Sequence, residues 1–234
     1  MENETGETTG TAGETDTGAA LPFVLSGVAA RALGCLIEKE FVTPDVYPLT
    51  LNALTNACNQ RNNRDPVLAL SEAEVSAGLD ELRAARLAVV FAGADSRVPK
   101  YKHKLEQEYG ADGVIRALLC ELLLRGPQTT AALRANSERL HRQPGLAEVE
   151  AILGGLAQRN AGALVLKLPR QIGRKEARWS QLFTGIPAAQ GDVDVVVRPV
   201  PSDLERRVEE LERVVASLAA DLTDLRAELG ASRP

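Results

Sequence analysis

Aromatic side chains make up only 3% of the 234 residues, and the chain holds two histidines and three cysteines. Each scarcity excludes something. With one Trp, three Tyr and four Phe, the core must be built from Leu, Val, Ile and Ala, which favours helices over an all-β sandwich. Cys35, Cys58 and Cys120 form no CxxC pair. A chain this long does not need disulfides, so they read as small apolar thiols in a reducing compartment. Together with His103 and His141 they match no metal-ligand spacing. There is no phosphate loop, no nucleophile elbow and no carboxylate pair at a recognisable spacing. No catalytic residue, cofactor or metal is therefore nominated, and an enzyme is not expected. No apolar run approaches the ~18–20 residues of a membrane span. The N-terminus carries acids where a secretory signal needs bases. The expectation is a cytoplasmic protein with no membrane partner.

Residues 1–21 hold Glu2, Glu4, Glu7, Glu14 and Asp16 and almost no apolar side chain. Such a segment cannot bury enough surface to offset its ordering entropy, so a disordered acidic tail is expected. Beyond it, Leu33, Leu36, Ile37 and Phe41 recur at helical spacing and predict a first helix from Ser26 to Glu40. Pro44 and Pro48 break it. Leu51, Leu54 and Cys58 line a second helix. Ser71 and Glu74 form a capping box that opens a third, with Val75, Leu79 and Leu82 as its apolar stripe. Leu87 to Phe91 is strand-like, Gly93-Ala94-Asp95 is a turn, and Val98 to Leu105 alternates as a second strand.

The same order then returns. Helices are predicted over Ile115–Leu124, Thr129–Arg139 and Leu146–Arg159, the last with Val149, Leu153 and Leu156 repeating the spacing of Val75, Leu79 and Leu82. Strands over Leu164–Leu168 and Ala177–Phe183 flank a loop at Gln171–Glu176. Arg31-Ala32-Leu33-x-Cys35 also matches Arg116-Ala117-Leu118-x-Cys120. Matched element order is the stronger sign of internal duplication. Three helices followed by a hairpin is the winged-helix arrangement. The fold class expected is therefore mainly α with small β-hairpins (α+β): winged-helix domains at 22–108 and 109–185, a linker at 186–201 and a coiled-coil helix at 202–230.

Several stretches also resemble a known family. They are Leu36-Ile37-Glu38-Lys39-Glu40, Thr43-Pro44-Asp45-x-Tyr47-Pro48-Leu49-Thr50-Leu51-Asn52-Ala53-Leu54, Ala57-Cys58-Asn59-Gln60 and Arg64-Asp65-Pro66-Val67. Ser96 to Tyr101, Leu124 to Thr129, Leu168 to Gln171 and Gly173 to Glu176 fit as well. Together they resemble the YceH-like bacterial proteins over residues 25–183. The resemblance implies a tandem winged-helix fold and cytoplasmic bacterial residence. That family brings no established activity, so no functional residue is carried across.

After the proline-containing linker, Ser202 and Glu205 form a further capping box and Gly230 a natural stop. Between them Leu204, Val208, Leu211, Val215, Leu218, Leu222, Leu225 and Leu229 recur in alternating steps of four and three, a heptad period. Val at two of the a positions with Leu at d favours a parallel dimer, and Arg207 facing Glu212 and Asp221 facing Arg226 agree with it. A helix folded back on its own chain is the alternative.

A formal net charge of −5 argues mildly against a nucleic-acid partner. The acids, however, concentrate in the tail and the C-terminal helix, leaving a modest basic excess between them. Helix-turn-helix proteins read the major groove with the start of the third helix. Here those positions hold Glu72, Glu74 and Ser76, then Glu148 and Glu150, which repel phosphate and suit helix N-termini instead. Candidate nucleic-acid contacts lie elsewhere: Asn59, Gln60, Arg61 and Arg64 in a polar loop, Lys100, Lys102 and Lys104 alternating on a wing strand, and Arg170, Arg174, Lys175 and Arg178 at the second wing. The alternating lysines equally fit an edge strand guarded against aggregation. Trp179, Tyr101 and His103 read as packed against helices. Two functions stand open: a homodimer that binds duplex DNA through its wings, and a scaffold whose winged helices bind an unidentified protein.

Overall fold

The computed structural model describes residues 19–91, 98–171 and 176–187, together with Arg213. The chain divides into two compact units, Met1–Gly191 and Asp192–Pro234, and the elements below belong to the first. The heptad residues from Leu204 to Leu229 lie outside the described residues, as do residues 1–18, the turn at 92–97 and the loop tip at 172–175. In the first unit seven α-helices and two small antiparallel sheets are described. No helix among the described residues is long and apolar enough to cross a membrane.

The first half runs α1 (Gly27–Val42), β1 (Leu49–Thr50), α2 (Leu51–Cys58), α3 (Glu72–Ala84), β2 (Ala88–Phe91) and β3 (Lys100–His103). A short helix α4 (Leu105–Tyr109) leads into the second half: α5 (Gly113–Arg125), α6 (Thr130–Ser137), α7 (Leu146–Ala157), β4 (Val165–Lys167) and β5 (Trp179–Gln181). Local chemistry sets the starts. Side-chain oxygens of Ser26, Thr50, Asp112 and Thr129 each accept from the backbone N–H three residues on. Ser71 and Glu74 form the full reciprocal capping box of α3. These bonds satisfy donors that the first helical turn leaves orphaned.

Three features differ from the sequence reading. First, Leu49 and Thr50 pair with Tyr101 and Lys100, so β3 is the central strand of a three-stranded sheet ordered β1-β3-β2. The lysines on β3 therefore do not guard an edge. In the second half Gln128, just before α6, makes the equivalent contact: its N–H donates to the Trp179 carbonyl at 3.1 Å, and the Trp179 N–H returns a bond of 2.7 Å. Second, the strand assigned from Val98 to Leu105 ends at His103, and Leu105 starts α4. Third, residues 19–21 are tied down. The Ala19 carbonyl accepts from the Ala163 N–H at 2.8 Å, and Leu21 packs on the core.

The two halves share one core, and α1 and α5 are its axis. α1 is buried from Ala29 through Glu38 and α5 from Ala117 through Leu124. A helix buried all round has neighbours on every side. α1 meets α2, α3 and β3 on its own side and α5 on the other. The helices approach closely at Gly34, where a Cβ would lie 2.7 Å from Leu124 Cδ2 and 3.1 Å from Leu123 Cβ. Cys120 Sγ donates to the Gly34 carbonyl at 3.4 Å. All three cysteines are buried here or in the adjoining core.

Beside this contact lies a chain of charges. Glu38 of α1 accepts from Arg64 Nη2 at 2.5 Å and from Arg139 Nη2 at 3.0 Å. Arg139 Nη2 also donates to Glu121 Oε1 of α5 at 2.7 Å. Arg125 stands 3.7 Å from the other Glu121 oxygen, Oε2, which has no hydrogen-bond partner. The two carboxyls diverge in consequence. Burial acts to raise Glu38, but the bond to Arg64 and its charge, with Lys39 and Arg139, outweigh it and hold the group below the ordinary carboxylate range. At Glu121 burial wins over Arg139 and Arg125, and the charge of Glu38 adds to it, so its carboxyl is raised.

The signs predict opposite pH responses. A depressed carboxyl contributes stability that is full above the ordinary range and fades as pH falls through its lower folded value. A raised one contributes stability that is full below the ordinary range and is lost as pH rises through its higher folded value. Urea unfolding across the acidic range should show Glu38→Gln becoming more destabilising as pH rises toward the ordinary carboxylate value and level above it. Glu121→Gln should become less destabilising as pH rises above that ordinary value toward the raised folded one. Parallel slopes would refute the assignment.

Candidate nucleic-acid interface

The polar loop after α2 is largely spent on the fold. The Asn59 amide clasps the Leu70 backbone, donating to its carbonyl and accepting from its N–H, both at 2.8 Å. Gln60 Oε1 accepts from Lys39 and Arg64. The Arg64 side chain is fully buried, and besides Glu38 it donates to the Ala57 carbonyl at 3.2 and 3.0 Å. Arg31 reaches in from α1 to the carbonyls of Cys58, at 3.2 Å, and Pro66, at 2.6 Å. Arg64 is therefore withdrawn as a phosphate contact. A buried Glu38 needs a counter-ion, and Arg64 provides it. Of the four candidates in this loop, Arg61 is exposed and forms no ion pair among the described residues. Beside the loop, a polar cleft of about 480 Å3 is lined by Asn63, Asp65, Arg125, Gln128 and Asn136. Asn136 donates to Gln128 there at 2.7 Å, and Gln128 in turn donates to the Glu121 carbonyl at 3.1 Å.

The first wing is different. Lys100 lies opposite both Thr50 and Phe91, and Lys102 opposite Val89. Cross-strand partners share a face, so Thr50, Val89, Phe91, Lys100 and Lys102 stand on the side away from the core. Leu49, Ala88, Val90, Tyr101 and His103 take the inner side, where Leu49, Ala88 and His103 are buried. The His103 Nδ1 accepts from the Leu105 N–H at 3.3 Å, which leaves the proton on Nε2, 3.0 Å from Glu40. This agrees with a packed histidine. Lys102 Nζ sits 5.7 Å from the Phe91 ring centroid. Neither Lys100 nor Lys102 forms an ion pair among the described residues. Lys104 does not belong to this face: it caps α4 after the strand has ended and pairs with Glu108 at 2.5 Å.

In the second hairpin Arg170 is exposed and Arg178 half-buried, while Arg174 and Lys175 lie outside the described residues. Trp179 is buried, and its Nε1 donates to Thr130 at 3.1 Å and Glu150 at 3.3 Å. Glu150 also receives Lys167 and the Thr130 hydroxyl. It therefore ties α7 to the hairpin. Glu72 accepts from Asn52 at 3.0 Å. Hydrogen bonds from Ser71 hold the Glu74 carboxyl below the ordinary range. Glu72, Glu74 and Glu150 at the starts of the third helices are thus committed locally. Sequence reasoning missed Phe91, which is 43% exposed. The available signal was parity: an unbroken apolar run in an antiparallel hairpin must turn alternate members outward.

Comparison with known proteins places the chain. Residues 25–174 match the family model described as "Protein of unknown function, DUF480". A UPF0502 protein of Geotalea uraniireducens is 48% identical over 207 residues, covering 86% of this chain and 93% of the relative. UPF0502 proteins of Citrifermentans bemidjiense and Vibrio atlanticus are 52% and 45% identical, covering 70% and 87% of this chain and 75% and 96% of the relatives. The chain belongs to this DUF480/UPF0502 family of uncharacterised bacterial proteins.

The two loop arginines give a direct check. Arg64→Ala removes the nearest partner of a buried carboxylate, leaving it to Arg139, and should lower the unfolding free energy by about 2–4 kcal/mol. Arg61→Ala should change it by less than about 0.5 kcal/mol. Urea denaturation followed by far-UV circular dichroism measures both, and equal effects would refute the division.

Proposed function

We propose that the chain is a tandem winged-helix protein that binds nucleic acid through its hairpins, has no catalytic role and works in the cytoplasm. Helices α1 to α3 with their sheet, then α5 to α7 with theirs, follow the helix-turn-helix-and-wing order. The resemblance to YceH-like proteins favours the same reading. One observation carries the choice of ligand: the outer face of the first sheet presents Lys100 and Lys102 with no carboxylate paired to either among the described residues. Ammonium groups at such a place suit phosphate, and such contacts release counter-ions. Arg61 and the second hairpin's Arg170 and Arg178 add to the basic side chains, and the sequence places Arg174 and Lys175 in the loop between them. Duplex DNA is the ligand that fold analogy favours.

The test is titration of the full chain with random duplex and single-stranded DNA at two salt concentrations. Affinity should fall steeply with salt, and each phosphate-contacting lysine changed to alanine should reduce the slope by about one. Charge reversal of Lys100 and Lys102, or of Arg174 and Lys175, should abolish most of the binding. Absence of binding to either form at low salt would overturn the reading.

A second reading rests on a specific surface. Leu146, at 50% exposure, borders a groove of about 570 Å3 with Thr130, Ala131 and Ala147. Exposed apolar area of this kind suits a protein partner, and the scaffold function would stand if nucleic acid does not bind. In either reading we take the heptad residues from Leu204 to Leu229 to pair two chains in parallel. Truncation after residue 200 should convert a dimer to a monomer by light scattering, and a truncated chain that stays dimeric would overturn this part.

A further inference from the structure

The basic excess explains attraction to a polyanion but not the exposed Phe91. The chain has four phenylalanines. This one stands in the open at the end of β2, with Lys100 directly across the ladder and the Lys102 ammonium over its ring. Glu40 lies in the field of Lys102, but it is engaged by His103 at 3.0 Å and Arg116 at 3.4 Å. The second hairpin holds a related arrangement in closed form. There Lys167 lies 5.3 Å from the centroid of its ladder partner Trp179, but the ring is buried and the lysine is paired with Glu150. In the first hairpin the ring is exposed, and neither lysine has an ion pair among the described residues.

A planar apolar face with a lysine across the ladder and a second lysine over the ring offers stacking and charge together, as a base with its flanking phosphates requires. Alternate residues on a strand lie about 6.8 Å apart, comparable to the step between phosphates in an extended single strand. Duplex DNA hides the faces of its bases and offers such a ring nothing to stack on without unstacking. We propose that the outer face of the first sheet binds single-stranded nucleic acid, with one base stacked on Phe91 and the flanking phosphates on Lys100 and Lys102. The base takes the place that the Lys102 ammonium holds over the ring. This rests on the nucleic-acid reading above and narrows it.

Fluorescence anisotropy of the full chain with labelled oligothymidylate and a labelled random duplex of equal length tests it. The single strand should bind more tightly than the duplex. Phe91→Ala should weaken single-strand binding by about 5- to 100-fold, the range for loss of one base–aromatic stack, and duplex binding by less than about 2-fold. Phe91→Trp should restore single-strand affinity, whereas Phe91→Leu, which keeps the bulk but not the ring, should not. Unchanged circular dichroism would show that these exposed substitutions leave the fold intact. A duplex bound as well as the single strand, with Phe91→Ala silent, would overturn this inference and leave the broader reading standing. Failure of both ligands at low salt would overturn both. A change of mass in solution on Phe91→Ala, with affinity unaltered, would mean that the ring serves pairing of β2 with a second copy, and would also overturn it.

Discussion

The packing of α1 on α5 is the constraint on which the rest of the structure depends. Gly34 lets the two helices approach until Leu123 and Leu124 fill the space a side chain would need. Close approach brings the flanking side chains out of water, and among them are Glu38 and Glu121. An unpaired buried carboxylate costs several kcal/mol, so arginines have to come from elsewhere in the chain. Arg64 comes from the loop after α2 and Arg139 from beyond α6. The junction thereby fixes the loop at 59–66 and the end of α6 as well as the two helices. Arg31 adds to this by holding two carbonyls of the same loop. What looks like a surface loop is a strap across the seam between the halves.

That allocation reshapes the surface. The formal charge of −5 describes no part of the folded unit. Basic groups that a sequence count assigns to solvent are drawn inward, and Glu72, Glu74 and Glu150 at the starts of the third helices are occupied with Asn52, a cap and the second hairpin. What the first sheet offers a partner is therefore an outward strip of lysine and apolar side chains. Its inner side is anchored by the core-facing residues of β2 and β3 and by the Tyr47 hydroxyl, which accepts from the His103 N–H at 2.9 Å.

The helices were legible because their causes are local. Apolar spacing and capping residues mark α1, α3 and α7 within a few residues of where they lie. The two-residue β1 carries no periodic signal, and it exists only because β3 stands beside it. The ion network was not legible for a different reason. Glu38, Arg64, Glu121 and Arg139 are far apart in the chain, and a glutamate on a helix ordinarily faces water. A weak signal did exist at Glu121: it interrupts a run from Ala117 to Leu124 that is apolar on every side of the helix, and a helix of that kind is buried all round. The same blindness to partners placed Arg64 on the candidate interface and overlooked the outward turn of Phe91. Both errors come from judging a side chain by its type, when its neighbours across the fold decide whether it faces inward or outward.

The division between arginine and lysine bears on what kind of recognition is available. Arginine's planar fork suits bidentate bonds, both to carboxylates inside a protein and to guanine edges in the major groove. In this fold Arg31, Arg64, Arg116, Arg139 and Arg159 make their bonds to the protein itself. The first sheet instead presents Lys100 and Lys102, point charges on flexible stems, which suit a phosphate wherever it lies. Backbone contacts position a ligand without reading its sequence. A stacked ring is equally tolerant, because every base has a π-face. With acidic third helices and inward arginines, the nucleic-acid reading proposed above would have this face select the form of a nucleic acid more than its sequence.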